Sequence, residues 1–146
     1  MLKDYLDNLQ ETLNRGDARE ESFYEHLKNL VIDYANHKNQ GRIDITILPK
    51  QTEAGNPDFR IWNGRNHIIG YIEAKLPTAD LNYIEETPQL KRYRDTFPNV
   101  ILTNFYEFRL YRNNELIKKV VIGRYPIAEK LQTAPPVENE QEFYEL

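Results

Sequence analysis

Apolar residues recur at helical spacing from the start of the chain. Leu2, Tyr5, Leu6, Leu9 and Leu13 share one face of a 3.6-residue period, and Gly16 follows where a helix C-cap favours glycine. A second amphipathic helix is expected from Asp17 to about Asn36. Asp17 and Glu20 have capping-box spacing, and Phe23, Leu27, Leu30, Val31 and Tyr34 supply its buried stripe. The period then shortens to two: Ile43, Ile45 and Ile47 alternate as in a half-buried strand ended by Pro49. A loop with Gly55 and Asn56 comes next. "DFRIW" and "HIIGYIEAK" read as two antiparallel strands joined through Asn63-Gly64, a dipeptide favoured in tight hairpin turns. "TPQLKRYRDTF" places Leu90, Tyr93 and Phe97 on one helical face, and "NVILTN" is a short apolar run of the interior-strand kind. "YEFRLYRNNELIKKVVIG" reads as a hairpin turning at Asn113-Asn114, with Phe108, Leu110, Ile117 and Val121 among its packed residues.

The order is two helices, a strand, a hairpin, a helix and three strands. Helices before and between strands imply an α/β fold, a mixed sheet with helices on its faces. From residue 126 the character changes: Pro135-Pro136 followed by acidic and polar residues resembles a linker, and "EFYEL" looks like the start of a further helix. The expected division is a domain over 1–125, then a linker and the start of a following segment over 126–146. The chain is thereby expected to be the amino-terminal module of a longer protein.

Composition restricts the chemistry. At 146 residues and 40% hydrophobic, the chain suits one domain burying about two thirds of its unfolded surface. It has no cysteine, which excludes disulfides and thiolate metal sites and fits a reducing, cytoplasmic setting. No run approaches the roughly 18–20 apolar residues of a membrane span, so no membrane association is expected. Ser22 is the only serine, and no GxSxG, HExxH or phosphate-cradling glycine motif occurs. A net charge of −4 gives no overall attraction to nucleic acid, so DNA contact needs a local basic patch. Carboxylates and lysines, the materials of a Mg²⁺ site, remain in quantity.

Strand alternation sets Ile68, Gly70, Ile72 and Ala74 on one face and Ile69, Tyr71, Glu73 and Lys75 on the other. The hairpin brings Asp58 to the end where Glu73 and Lys75 lie. Two carboxylates and an ammonium suit metal-assisted phosphodiester hydrolysis: the carboxylates hold Mg²⁺, and the lysine polarises the attacking water and offsets charge on the phosphate. The bland alternative is a Glu73–Lys75 ion pair on a partly exposed face, a kind of pair worth under about 1 kcal/mol.

"PD" at Pro57-Asp58 followed by "EAK" at Glu73-Ala74-Lys75 resembles the PD-(D/E)xK nuclease superfamily. The succession "REESFYEHLKNL", "GNPDF", "GYIEAK", "QLKRYRDTFPNVILTNFYEFRLYR" is similar to the amino-terminal nuclease domain of single-polypeptide, Type I-like (type ISP) restriction-modification enzymes, over nearly the whole chain to about Gly123. The resemblance implies a restriction-endonuclease-like fold, a mixed central sheet flanked by helices. It also implies a Mg²⁺-dependent endonuclease acting on double-stranded DNA, joined to a translocase and a methyltransferase. Asp58 and Glu73 become metal ligands and Lys75 the catalytic lysine. A helix carboxylate is assigned to Glu21, with Glu20 and Glu25 as competitors, or all three are a solvated face. Gln89 is expected to reach the site or the DNA backbone, with Tyr93 on its helical face, or to be plain helix surface. Arg60, Lys91, Arg92 and Arg94, with Arg65, are the expected phosphate contacts, or ordinary solubilising charges. Two other readings stay open: a free-standing repair or junction-resolving nuclease, and an inactive interaction module that keeps the fold.

Overall fold

The computed structural model describes residues 1–38, 42–64 and 67–146. α1 (Leu2–Asn14) buries Leu2, Tyr5, Leu6 and Leu9, and Gly16 ends it at φ +80°. The next helix starts later than expected. Residues Glu20–Phe23 form a 3₁₀ turn that leads into α2 (Tyr24–His37). The Asp17–Glu20 box gives way to Ser22, whose Oγ accepts from the Arg19 amide at 2.9 Å.

Among the described residues six strands form one sheet in sequence order: β1 (Asp44–Ile47), β2 (Phe59–Trp62), β3 (Ile68–Ala74), β4 (Asn99–Thr103), β5 (Glu107–Arg112) and β6 (Glu115–Val121). Only β3 and β4 pair in parallel, and the crossover between them carries α3 (Leu81–Ile84) and α4 (Pro88–Thr96). Parallel neighbours need such a crossover, whereas the antiparallel pairs are joined by shorter connections. The short α3 was not expected from the sequence pattern.

The hairpin turns divide by backbone conformation. Asn113 and Asn114 both have positive φ, +50° and +67°, and Arg112 pairs with Glu115, the geometry of a two-residue type I′ turn. In the β2–β3 connection Gly64 has positive φ, +83°, whereas Asn63 does not, and Asn63 N donates to His67 O at 3.0 Å. That connection spans residues 63–67 and is longer than the tight turn expected at Asn63-Gly64; Arg65 lies outside the described residues.

Helices cover both faces. Phe59, Ile72, Ala74, Phe108 and Val120 pack with α1 and α2 around Phe23, Tyr24 and Leu27. Val100, Leu102 and Tyr111 pack with Leu90, Tyr93 and Phe97 of the α4 region on the other face. Phe108 and Leu110 are buried as expected, but Ile117 (49% exposed) and Val121 (37%) are not. They lie on β6, one of the sheet's two edge strands, where Val120 is the residue that turns into the core. Residues 126–146, expected as a linker and the start of a further helix at "EFYEL", carry most of α5 (Tyr125–Leu131) and all of α6 (Glu140–Tyr144), the latter at the expected helix. Ala128 and Phe143 of these helices enter the same core cluster as α1 and α2. Among the described residues no helix is long and apolar enough to cross a membrane.

Candidate active site

The pairing of Phe59 with Ile72 sets Asp58, one residue back, beside Glu73. Both carboxylates sit at the end of the sheet, Asp58 9% and Glu73 3% exposed. Backbone amides secure them: Ala74 N donates to Asp58 Oδ2 at 2.8 Å, and Asp58 N donates to Glu73 Oε1 at 3.3 Å. Lys75 continues the strand past Ala74. Its Nζ stands 3.0 Å from Glu73 Oε2 and 3.5 Å from Gln89 Oε1. The expected trio converges, and Gln89 joins it from the first turn of α4.

An ion pair between Glu73 and Lys75 is present, yet it is not the surface pair of the bland alternative, because the Glu73 side chain is only 4% exposed. Burial, and next the charge of Asp58, push the Glu73 carboxyl up to about 8, with Lys75 opposing. Burial also raises Asp58, against the hydrogen bond from Ala74 N and the nearby Tyr24 hydroxyl. Burial works against the Lys75 ammonium, but Glu73, with Glu20 and Asp58 adding to it, outweighs burial and raises the lysine's pKa. Two carboxylates held together in a dry place resist ionising together.

The helix carboxylate that reaches this cluster is Glu20, not the expected Glu21. Tyr24 OH donates to Glu20 Oε1 at 2.9 Å, and Glu20 is raised by burial, with Asp58 adding to the rise and Lys75 opposing it. Glu21 and Glu25 are exposed. The 3₁₀ turn sets Glu20 four residues before Tyr24, and the buried ring of Tyr24, packed edge-on against Phe59 at 4.9 Å, brings that hydroxyl to the site. Tyr24 escaped sequence reasoning; its i, i+4 spacing from Glu20 was the available signal.

Gln89 and Tyr93 share a face of α4, as expected. Burial and the charges of Glu73 and Asp58 push the Tyr93 hydroxyl up to about 12. The basic residues are less uniform. Lys91 and Arg92 are exposed, Lys91 3.4 Å from Glu86 and Arg92 Nε donating to Ala54 O at 3.5 Å. Arg60 lies over the rings of Trp62 and Tyr71, and Arg94 over Tyr111 at 5.1 Å. Only part of the expected patch is therefore free to meet phosphate.

Among the described residues no group of three or more His, Asp or Glu side chains converges closely enough to enclose an ion. The protein's offer is two hard carboxylates, with Glu20 further out. That suits Mg²⁺, which keeps several waters and is held through one or two carboxylates.

No family model and no curated protein matches this chain. Among solved structures it is similar to a chain in the cryo-EM structure of a DrdV–DNA complex, with a TM-score of 0.66 and 21% sequence identity over 82% of this chain. The match covers 12% of that much longer chain. The expected α/β fold, a mixed sheet flanked by helices, is thus shared with a protein solved bound to DNA.

Proposed function

We propose that this chain is a Mg²⁺-dependent endonuclease domain with the restriction-endonuclease-like fold, hydrolysing phosphodiester bonds of double-stranded DNA without reading their sequence. The observation that carries the reading is the burial of Asp58 and Glu73 side by side with the Lys75 ammonium 3.0 Å from Glu73. A buried charge cluster is costly to maintain, and a divalent cation between the carboxylates would relieve it. Asp58 and Glu73 would hold Mg²⁺, which when bound supplies Lewis acidity and lowers the pKa of a coordinated water.

The chain's own groups supply the rest. Lys75 stays protonated beside Glu73, and its Nζ can donate to an attacking water or to a phosphate oxygen gaining charge. Gln89 Oε1 restrains the ammonium from the α4 side. Tyr24 fixes Glu20 at the rim, where its carboxylate can accept a hydrogen bond from a water. Arg92 and Lys91 are placed to meet backbone phosphate, which positions a duplex without discriminating bases. The proposed setting is the one the sequence resemblance implies, a cytoplasmic restriction-modification polypeptide of type ISP that also carries a translocase and a methyltransferase. The small share of the long DNA-bound neighbour that the match covers agrees with a module of this kind.

Plasmid cleavage by the restriction-modification polypeptide carrying this chain, in Mg²⁺, tests the reading. Lys75→Ala should lower the rate by about 100-fold or more while circular dichroism stays native. Cleavage at the unaltered rate would remove the lysine from the mechanism. No cleavage by the unaltered polypeptide would sink the endonuclease reading itself.

A further inference from the structure

Among the described residues six non-glycine residues have positive φ: Leu48, Phe105, Asn113, Asn114, Gln132 and Asn139. Five have a local reason. Asparagine tolerates this region, Gln132 caps the C-terminus of α5, and Phe105 is fully buried, so packing offsets its strain. Leu48 has neither excuse: φ is +50° and the residue is 57% exposed. Glycine or asparagine would hold the same turn with less strain, and the leucine side chain brings little burial in return.

The backbone around it is firmly held. Leu48 N donates to the carbonyl of Asp58 at 2.7 Å, which ties this residue to the site. Pro49 is buried, and Arg60 Nη2 donates to Lys50 O at 3.3 Å. Thr52 Oγ1 donates to Gly55 O at 2.7 Å, and Gly55, at φ +129°, lies under the ring of Tyr93. Strain maintained at an exposed apolar residue beside a reactive centre is a functional signature.

Resting on the endonuclease reading above, we propose that Leu48 is a DNA-contacting residue that presses an apolar side chain against the sugar and base edges of the minor groove next to the bond being cut, with the exposed Lys50 on a flanking phosphate. Leu48 stands one backbone hydrogen bond from Asp58, so a duplex whose phosphate lay at Asp58 and Lys75 would pass close to it. Apolar residues serve as wedges in the minor groove, and a lysine beside one supplies charge without reading bases. Leu76, which follows Lys75 in the chain, is a second exposed leucine, at 43%.

The test uses the 146-residue chain, chelator and a short labelled duplex at low salt, with thermal unfolding measured alongside. Leu48→Gly and Leu48→Asn should weaken binding about five-fold or more while the melting temperature holds or rises, because strain is relieved. A minor-groove-binding dye should compete with the unaltered chain. Leu131→Ser, at an exposed leucine in α5, should leave binding unchanged. Binding by Leu48→Gly equal to the unaltered chain, a fall in binding matched by a fall in melting temperature, or indifference to the dye would each overturn the inference and leave the endonuclease reading standing. A folded, unaltered chain that binds no duplex would overturn the inference, while the endonuclease reading stands or falls on plasmid cleavage in Mg²⁺.

Discussion

Glu73 is a buried carboxylate beside a second one, and its titration should be visible in stability. Its carboxyl is raised from the ordinary 4.5 to about 8 by burial, then by Asp58. Between those values the folded state keeps a proton that the unfolded chain has released. Stability in chelator should therefore fall as pH rises through this window and level off above it. Glu73→Gln should flatten the slope and be the more stable protein at the alkaline end. Urea unfolding of both proteins across the window measures it, and parallel curves would mean that Glu73 ionises freely. Tyr24 acts at the same scale. Its hydroxyl is what holds Glu20, so a residue chosen for burial also sets the carboxylate's position.

At the scale of the element, α4 decides where Gln89 stands. Thr87 caps it: Oγ1 accepts from Leu90 N at 3.4 Å and donates to Ile84 O at 2.7 Å, fastening the helix to the end of α3. Pro88 occupies the first turn, where its missing N–H costs nothing. Thr87→Ala should lower stability by about 1 kcal/mol. Because it loosens the first turn, it should also slow cleavage more than an exposed substitution of equal stability cost. Denaturant midpoints and cleavage rates of this variant, set against an exposed α1 variant of matched stability, separate the two effects. A second tie reaches this crossover from β5, where the buried Arg109 pairs with Glu85 at 3.0 Å and with Glu107, and donates to Asn82 at 2.8 Å. These bonds hold α3 against the sheet, and so set the start of α4.

For the whole molecule, two layers meet at one end of the sheet: Tyr24 and Glu20 arrive from the α1–α2 side and Gln89 from the α4 side. The terminal helices belong to the first layer. Phe143 is 3% exposed and its ring lies 5.5 Å from that of Phe108, so Phe143→Ala should cost about 3 kcal/mol, read by urea unfolding. An effect below about 0.5 kcal/mol, the range of ordinary surface substitutions, would mean that α6 does not pack as described. Metal binding acts at the same scale through linkage. Mg²⁺ held by Asp58 and Glu73 should raise the melting temperature by a few degrees, about 1 kcal/mol at millimolar metal. Asp58→Asn should abolish that response and raise the metal-free melting temperature by halving the repelling pair. Scanning calorimetry with Mg²⁺ and with chelator checks both, and an equal metal response in the two proteins would exclude Asp58 as a ligand.

Local pattern by itself determined most of the elements: the apolar period marks α1, α4 and the strands, and Asn113-Asn114 predicts a turn that two adjacent positive φ values fulfil. It also determined that Glu73 and Lys75 share a strand face, because alternation is a property of the backbone, and a hairpin was enough to carry Asp58 to them. What it could not supply is anything set by distance through space. Glu20, Glu21 and Glu25 are equivalent in composition, and only the 3₁₀ turn with the packing of Tyr24 on Phe59 selects Glu20. Ile117 and Val121 are as apolar as Leu110, yet they stand on an edge strand whose register turns Val120, and not them, into the core. Proline and acidic residues made 126–146 resemble a linker leading into a helix at "EFYEL"; the helix is there, but only the fold shows that its Phe143 packs into the core. The burial that pushes Glu73 to about 8 belongs to this last class. A charge's desolvation depends on every layer packed around it, and no stretch of neighbouring residues specifies that.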